Sequence, residues 1–330
     1  MPDGASVLWL DGKLVPIEQA TLPILSHALH YGFGVFEGIR AYRQVGGGGA
    51  VFRLDTHLRR LVESAKILKL ELPFSYEEMF EGCKNVLRAN ALEEAYLRPI
   101  AWLGEGRMGV GAFDNKVHVA VAAWVWGAYL GDEALTKGIR AKISSFLRPH
   151  PNVAMVRGKV TGQYVNSVLA KREAYDLGYD EAILLDHSGF VAEGSGENIF
   201  IVRGDRILTP SLAAPILRGV TRDSVIDLAR EMGFEVAEHS FHRDTLYVAD
   251  EAFFTGTAAE ITPIREVDDR TIGTGAPGPV TKRLQAAFRE AVTGRNRSRA
   301  AWLAPIGRVA SAESVVARPT PARAAARRRA

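Results

Sequence analysis

The order of the predicted elements constrains the fold of this chain more than any single motif does. Short hairpins and amphipathic helices follow one another without a regular strand–helix–strand repeat. Residues 7–15 predict a hairpin around Asp11-Gly12, and residues 221–232 predict a helix with one apolar face. This mixture favours an α+β architecture over a doubly wound parallel sheet. The 330 residues are enough for two domains.

Two domains and a tail are predicted. The boundary is expected near residues 129–138, where the pattern of elements changes. It separates a small N-terminal α+β domain, 1–130, from a larger C-terminal domain, 131–306. Residues 307–330 are rich in Arg and Ala and hold too few large apolar residues to fold alone, so a disordered tail is predicted there.

Apolar periodicity and turn residues predict the remaining elements. A strand is also predicted to lead directly into Lys159. The other predicted strands are 38–43, 95–102, 117–126, 182–186 and 252–255, with a hairpin at 198–209. Helices are predicted to begin at residue 55 and at the capping box formed by Ser75 and Glu78, and to cover 165–177 and 279–291.

Composition and charge limit which partners the protein could bind and in which cellular compartment it could work. The net charge is +3, and residues 308–330 carry six Arg and one Glu, so the rest of the chain is close to −2 and offers no electrostatic reason to bind nucleic acid or an anionic membrane. The longest apolar stretch, 117–131, is shorter than the about 20 residues that a membrane helix needs. A single cysteine, Cys83, excludes an intramolecular disulfide, and no secretory signal is apparent. We therefore expect a cytoplasmic protein with Cys83 packed inside a helix.

Lys159 is the first candidate for chemistry. It stands in Arg157-Gly158-Lys159-Val160, ahead of the helix predicted at 165–177. A lysine in such a turn is most often a solvated surface charge. The alternative is a reactive amine, because a lysine whose basicity is lowered by its surroundings can form a Schiff base with an aldehyde cofactor.

Three further segments are compatible with a cofactor site, although each has an ordinary structural interpretation. Glu193, in Glu193-Gly194-Ser195-Gly196, could partner a pyridine nitrogen or simply belong to a turn. Thr221 opens the helix at 221–232, where backbone N–H groups could bind a phosphate or the hydroxyl could serve as a cap. The small-residue turn 256–260 could bind an anion through its backbone or be only a tight turn.

Taken together and in this order, these segments closely resemble the branched-chain amino-acid aminotransferases, which are fold-type IV pyridoxal-phosphate enzymes. The resemblance extends over about residues 7–303. It also includes the segments Ser26-His27-Ala28-Leu29-His30-Tyr31-Gly32 and Val35-Phe36-Glu37-Gly38-Ile39-Arg40. It implies a two-domain fold like that of the D-amino-acid aminotransferases, with the active site at the domain interface and the cofactor on domain 131–306.

The resemblance implies pyridoxal 5'-phosphate as cofactor and assigns roles to individual residues. Lys159 would carry the cofactor and then move the proton from the substrate α-carbon to the cofactor C4′. Glu193 would partner the pyridine nitrogen and Tyr164 the ring phenolate. Arg60, next to the alternative Arg59, would bind the phosphate. The phosphate site would be completed by Gly219, Val220, Thr221, Gly256 and Thr257.

The implied substrates are L-leucine, L-isoleucine and L-valine with 2-oxoglutarate, in a reversible ping-pong reaction. Arg98 would bind the γ-carboxylate of glutamate, and Thr257 with Ala258 would bind the α-carboxylate. The implied pocket also contains Tyr31, Phe36, Gly38, Tyr96, Met108, Val110, Trp126 and Tyr129.

The same resemblance makes Tyr31 and the segment 106–110 parts of a site shared between subunits, so we expect at least a homodimer and allow for a hexamer. His27 and His30 lack an accompanying carboxylate or cysteine cluster, so no metal is expected. Three alternatives remain open. They are a D-amino-acid or amine transaminase, an aminodeoxychorismate-lyase-like enzyme of the same fold, and a binding protein without activity.

Overall fold

The computed structural model describes residues 3–127 and 130–307. The substrate residue predicted at Tyr129 lies outside these residues, and so does the predicted disordered tail beyond Gly307. Within the described ranges, no helix is both long enough and apolar enough to cross a bilayer.

The strands form two separate sheets. The first contains β1 Val7–Leu10, β2 Lys13–Pro16, β3 Gly34–Phe36, β4 Ile39–Arg43, β5 Gly49–Phe52, β6 Ala95–Leu103, β7 Val117–Trp124 and β17 Leu303–Pro305. The second contains β8 Ile139–Ile143, β9 Glu181–Leu185, β10 Val191–Gly194, β11 Asn198–Arg203, β12 Arg206–Thr209, β13 Glu235–Glu238, β14 Glu251–Gly256, β15 Glu260–Val267 and β16 Arg270–Thr271. Both sheets are accompanied by helices, which confirms the predicted α+β class.

Eight α-helices and three short 3₁₀ turns connect the strands in the described chain. The turns are Ile17–Gln19, Thr161–Gln163 and Arg297–Trp302. The helices are α1 His27–Tyr31, α2 Leu54–Ile67, α3 Tyr76–Ala89, α4 Asp132–Lys137, α5 Tyr164–Asp176, α6 Val220–Glu231, α7 Arg243–Tyr247 and α8 Pro279–Val292.

The first sheet has the order β17-β5-β4-β6-β7-β1-β2, and β3 pairs with a separate stretch of β6. Helices α2 and α3 pack on it through apolar side chains such as Leu58, Leu61, Met79 and Val86. Cys83 belongs to this core and is fully buried, and burial raises the pKa of its thiol to about 12. It is therefore a packed residue, as predicted.

The second sheet has the order β10-β9-β8-β15-β14-β11-β12-β13, and β16 pairs with β15. Its pairs are antiparallel except for β8 with β9, β8 with β15 and β12 with β13. Helices α6 and α8 cover one face, and their core includes Phe52 of the first sheet, whose ring centroid is 5.5 Å from that of Phe288.

The chain returns to the first sheet at its described end, because β17 pairs antiparallel with β5. The limits of the two domains, 1–130 and 131–306, stay a prediction. The prediction that a strand leads into Lys159 is wrong, because β8 ends at Ile143. Next to Lys159 the described residues have only an isolated bridge, between Val160 and Val35.

A two-residue break between β3 and β4 places Gly38 in the wall of the cavity described below. Both strands pair with β6, with Phe36 opposite Ile100 and Ile39 opposite Leu97. Glu37 and Gly38 fill the break. A Cβ added at Gly38 would lie 1.9 Å from the hydroxyl of Tyr96, so glycine at this position leaves room for the Tyr96 side chain.

Candidate active site

One open cavity lies between the two sheets and is lined by residues from both halves of the chain. Gly38, Arg60 and Tyr96 come from the N-terminal part of the chain, whereas Glu193 and Thr257 come from the second sheet. All nine residues predicted to bind the cofactor line this cavity, since the lining also includes Lys159, Tyr164, Gly219, Val220, Thr221 and Gly256. The predicted substrate residue Ala258 lines it too.

Lys159 is fixed by its backbone and by one side-chain contact. Its N–H donates to Ser64 Oγ at 3.0 Å, and its carbonyl accepts from the N–H of Phe36 at 3.0 Å. Its Nζ donates to the hydroxyl of Tyr164 at 2.6 Å and lies 5.0 Å from the ring centroid of Phe36. The amine is therefore held inside the cavity and is not a solvated surface charge.

Glycines allow the segment that follows Lys159 to pack closely against the N-terminal part. The N–H of Gly162 donates to the carbonyl of Gly32 at 3.0 Å, and a Cβ on Gly32 would lie 2.7 Å from the Cα of Gly162. Gly32 also has a φ of 65°, which glycine adopts without strain. The hydroxyl of Thr161 donates to the carbonyl of Gly32 at 2.7 Å.

Glu193 is a buried carboxylate in β10 with three polar contacts. Its Oε2 accepts from Asn198 Nδ2 at 3.0 Å and from the N–H of Leu217 at 3.1 Å. Its Oε1 lies 2.9 Å from a guanidinium nitrogen of Arg148. Burial raises the pKa of Glu193, and the positive charge of Arg148 opposes that rise.

Arg60 and its neighbour Arg59 face opposite directions from α2. Arg59 is exposed and pairs with Asp55. Arg60 lines the cavity and donates to both oxygens of Glu37, at 2.7 and 2.8 Å, and to the carbonyl of Arg218 at 2.6 Å. The geometry therefore makes Arg60 the cavity residue.

Glu37 holds Arg60 in place from the break between β3 and β4. It is fully buried and also lies 2.7 Å from Nδ1 of His57. Burial alone would raise the pKa of Glu37, but the charges of Arg60 and His57 hold it well below its usual range. A buried carboxylate with three hydrogen bonds is a rigid support for the guanidinium.

A helix N-terminus and a tight turn complete the wall of the cavity. Gly219 is the N-cap of α6, and a Cβ there would lie 1.9 Å from Asn198 Oδ1. Gly256 lies opposite Glu260 in the pairing of β14 with β15, so Thr257 and Ala258 belong to a three-residue turn. Backbone N–H groups at a helix N-terminus favour an anion such as phosphate.

Arg98, in β6 of the first sheet, stands among aromatic rings next to Tyr96, which lines the cavity. Its guanidinium carbon is 4.9 Å from the ring centroid of Phe36, and one terminal nitrogen is 3.5 Å from the hydroxyl of Tyr96. Its buried Nε has no hydrogen-bond partner among the described residues. The ring of Trp126 contacts that of Tyr96, with centroids 4.6 Å apart.

Comparison with known proteins agrees with this geometry. The family described as amino-transferase class IV matches residues 34–267. The branched-chain-amino-acid aminotransferase of Pseudomonas aeruginosa is 51% identical over 92% of this chain and 98% of its own.

Two solved structures of the T.th. branched-chain amino acid aminotransferase are also similar. The one with pyridoxamine 5'-phosphate has a TM-score of 0.89 at 50% identity and covers 92% of this chain and 99% of that chain. The one with N-(5'-phosphopyridoxyl)-L-glutamate has a TM-score of 0.88 at 48% identity, with the same coverage.

The chain belongs to the class IV aminotransferases. Its resemblance to the branched-chain members and the predicted fold-type IV architecture are thereby confirmed. The same comparisons show that the protein is an enzyme and not an inactive binding protein.

Six predicted substrate residues that the structure describes lie outside the cavity lining of this class IV aminotransferase. Arg98 and Trp126 contact the lining residue Tyr96, and Phe36 contacts the lining residue Tyr164. The other three lie farther out. Tyr31, Met108 and Val110 are exposed by 45%, 43% and 84%. They share one surface, because Nε2 of His27 in α1 lies 3.1 Å from the carbonyl of Gly109. His30 contacts the carbonyl of Ile24 through Nε2 at 2.7 Å.

Several residues of the aminotransferase site were not predicted from the sequence. Arg148 and Asn198 contact Glu193, and Ser64 holds the backbone of Lys159. Asn198 and Glu37 stand inside segments that carry the family resemblance, which was the available signal. Arg148 and Ser64 stand in no such segment.

Glu197 is a second buried carboxyl group in the cavity wall. Its Oε2 accepts from the N–H of Gly196 at 3.0 Å. Burial, reinforced by the negative charge of the buried Glu181, raises the pKa of Glu197 to about 8. The folded protein therefore holds this group protonated at neutral pH.

We expect Glu197→Gln to remove a pH dependence of stability. The unfolded chain loses the Glu197 proton near pH 4.5, whereas the folded chain keeps it to about pH 8. The stabilisation from this group is full below pH 4.5 and is lost as the pH rises through 8. The free energy of unfolding of the wild type should fall between these limits by up to about 1.4 kcal/mol per pH unit relative to the variant.

Urea denaturation of both proteins from pH 5 to 9 measures this difference. The exposed Glu77→Gln serves as control and should follow the wild type. Parallel curves for the wild type and Glu197→Gln would show that Glu197 is ionised in the folded protein.

Proposed function

We propose that this protein transfers the amino group between L-leucine, L-isoleucine or L-valine and 2-oxoglutarate, with pyridoxal 5'-phosphate as cofactor. The observation that carries the proposal is the arrangement of an amine, a buried carboxylate and an anion-binding wall around one cavity. These are Lys159, Glu193 and the group formed by Arg60 and the N-terminus of α6. The relatives from Pseudomonas aeruginosa and T.th. are branched-chain aminotransferases by name.

The residues present fit pyridoxal phosphate. The guanidinium of Arg60, the hydroxyl of Thr221 and the N-terminus of α6 line one cavity, and this donor set suits a phosphate. We assign the phosphate to Arg60, Gly219, Val220, Thr221, Gly256 and Thr257. When bound, the cofactor supplies an aldehyde carbon for the amine and a protonated ring that withdraws electrons.

Lys159 holds the cofactor and moves the proton. Once the substrate amine had released it, its Nζ would take the proton from the substrate α-carbon and return it to the cofactor carbon C4′. Tyr164, whose hydroxyl is 2.6 Å from Nζ, keeps the amine in position. The same hydroxyl would donate to the ring oxygen of the cofactor. Glu193 would accept a hydrogen bond from the ring nitrogen.

The substrate pocket has to accept an apolar side chain and, in the other half-reaction, a γ-carboxylate. Phe36, Tyr96 and Trp126 supply aromatic walls, and Arg98 supplies a guanidinium for the carboxylate. The Nε of that guanidinium has no hydrogen-bond partner among the described residues. When the substrate is apolar, the same guanidinium stays over the rings of Phe36 and Tyr96. The N–H groups of Thr257 and Ala258 take the α-carboxylate.

A second subunit completes the pocket. Tyr31, Met108 and Val110 are exposed on one surface of the chain, where they can reach the cavity of a neighbouring copy. The minimal active unit is then a homodimer, and a hexamer is compatible with it. The division into a domain 1–130 and a cofactor domain 131–306, and a cytoplasmic location, belong to the same proposal.

The direct test is a coupled assay with 2-oxoglutarate and L-leucine, L-isoleucine, L-valine or D-alanine. The three L-substrates should react, and Lys159→Ala should abolish turnover because Lys159 is the lysine among the described residues that line the cavity. Reaction of D-alanine alone would leave the cofactor site intact but overturn the roles of Arg98 and Thr257. Release of pyruvate from aminodeoxychorismate without transamination would favour the lyase.

The neighbouring arginines of α2 offer a matched pair for the phosphate site. Arg60→Ala should weaken pyridoxal phosphate binding about tenfold or more, because a buried charge-assisted contact is lost. Arg59→Ala, on the exposed face, should bind as the wild type does. Fluorescence titration of the apoprotein measures both constants, and equal affinities for the two variants would contradict the assignment of Arg60.

A further inference from the structure

Arg148 lines the cavity but has no role in the proposed reaction so far. It stands in the loop between β8 and α5, and its side chain is only 10% exposed. Its backbone N–H donates to the carbonyl of Leu185 at 2.8 Å, and its Nε donates to the carbonyl of Pro215 at 3.1 Å. These bonds fix the guanidinium against the carboxylate of Glu193, 2.9 Å away.

The two oxygens of Glu193 have different partners. Oε2 accepts from Asn198 and Leu217, which are neutral donors, whereas Oε1 faces the charge of Arg148. Lys159 and the buried Arg222 also act on this carboxylate with positive charge. The carboxyl of Glu197 acts on it with the opposite sign whenever it is ionised.

Burial penalises the charged form of Glu193. A buried carboxylate without a cationic partner normally takes up a proton. Beside a pyridine nitrogen, that proton has two possible positions, the ring nitrogen or the carboxyl oxygen. A cation 2.9 Å from the carboxylate favours the position on the nitrogen, because it stabilises the negative oxygen.

We propose that Arg148 is a positioning residue that keeps Glu193 ionised and thereby keeps the proton on the ring nitrogen of the bound cofactor. The inference rests on the proposed function. One proton changes place between the nitrogen and Glu193 Oε1 or Oε2, and no other bond forms or breaks. Arg148 acts through Glu193. Because its guanidinium is paired with that carboxylate, Arg148 does not bind the carboxylates of the substrate.

The test uses the holoenzyme reconstituted with pyridoxal phosphate labelled with ¹⁵N in the ring. In the wild type the ¹⁵N chemical shift should report a protonated nitrogen at neutral pH. In Arg148→Gln it should move towards the unprotonated value, and in Arg148→Lys, which keeps the charge, it should stay near that of the wild type.

Kinetics give the second readout. Arg148→Gln should lower kcat about tenfold or more with KM for L-leucine and 2-oxoglutarate little changed. Glu193→Gln should show a similar loss. The double variant should be no worse than Glu193→Gln alone, because Arg148 has no further role once the carboxylate is gone.

Three results would overturn the inference. They are a protonated nitrogen in Arg148→Gln, losses that multiply in the double variant, and a rise in KM for the dicarboxylate alone, which would make Arg148 a substrate ligand. If Arg148→Gln does not fold, Arg148→Lys and Glu193→Gln carry the comparison, and an unprotonated nitrogen in Arg148→Lys overturns it. A wild type that binds no pyridoxal phosphate refutes the proposed function instead, since the label then has no site.

Discussion

The site depends on the way the segment around Lys159 is bonded to the N-terminal half of the chain. The N–H of Lys159 donates to Ser64 in α2, and its carbonyl accepts from Phe36 in β3. Val160 bridges to Val35, and Gly162 bonds to Gly32. Since Lys159 precedes α5 of the second half, these contacts draw both halves around one cavity and fix the amine between them.

The buried charges of the cavity are arranged in supported pairs. Glu37 holds Arg60 on one side, and Arg148 holds Glu193 on the other. A buried ion pair contributes little net stability, because desolvation offsets the attraction. Its value here is geometric, since each supported group keeps one orientation towards the cavity. Glu197 differs, because it is kept protonated by burial beside Glu181.

Motifs in the sequence were enough to predict the residues assigned to the cofactor, all of which line the cavity, but not the residues that support them. Lys159, Glu193 and Thr221 stand in segments whose local pattern and order carry a family resemblance. Arg148 could not be found in this way, because its contact with Glu193 exists only after the loop that follows β8 has folded onto β10.

Elements with a strong apolar periodicity in the sequence could be predicted, whereas an element whose pattern is interrupted could not. The hairpin of β1 and β2 and the helices α3, α6 and α8 follow from turn residues, capping and apolar spacing. Strand β15 was missed, because Pro263 lies inside it and proline is rare within sheets. Pairing with β14 and β8 makes it a strand nonetheless.

The most direct test of the account is to locate the cofactor on the chain. Borohydride reduction fixes a lysine-bound pyridoxal phosphate, and trypsin cannot cut after a modified lysine. The account predicts a phosphopyridoxyl group on the peptide from Gly158 to Lys171, with the modified residue at Lys159. Modification of a different lysine, with Lys159 unmodified and cleaved, would contradict it.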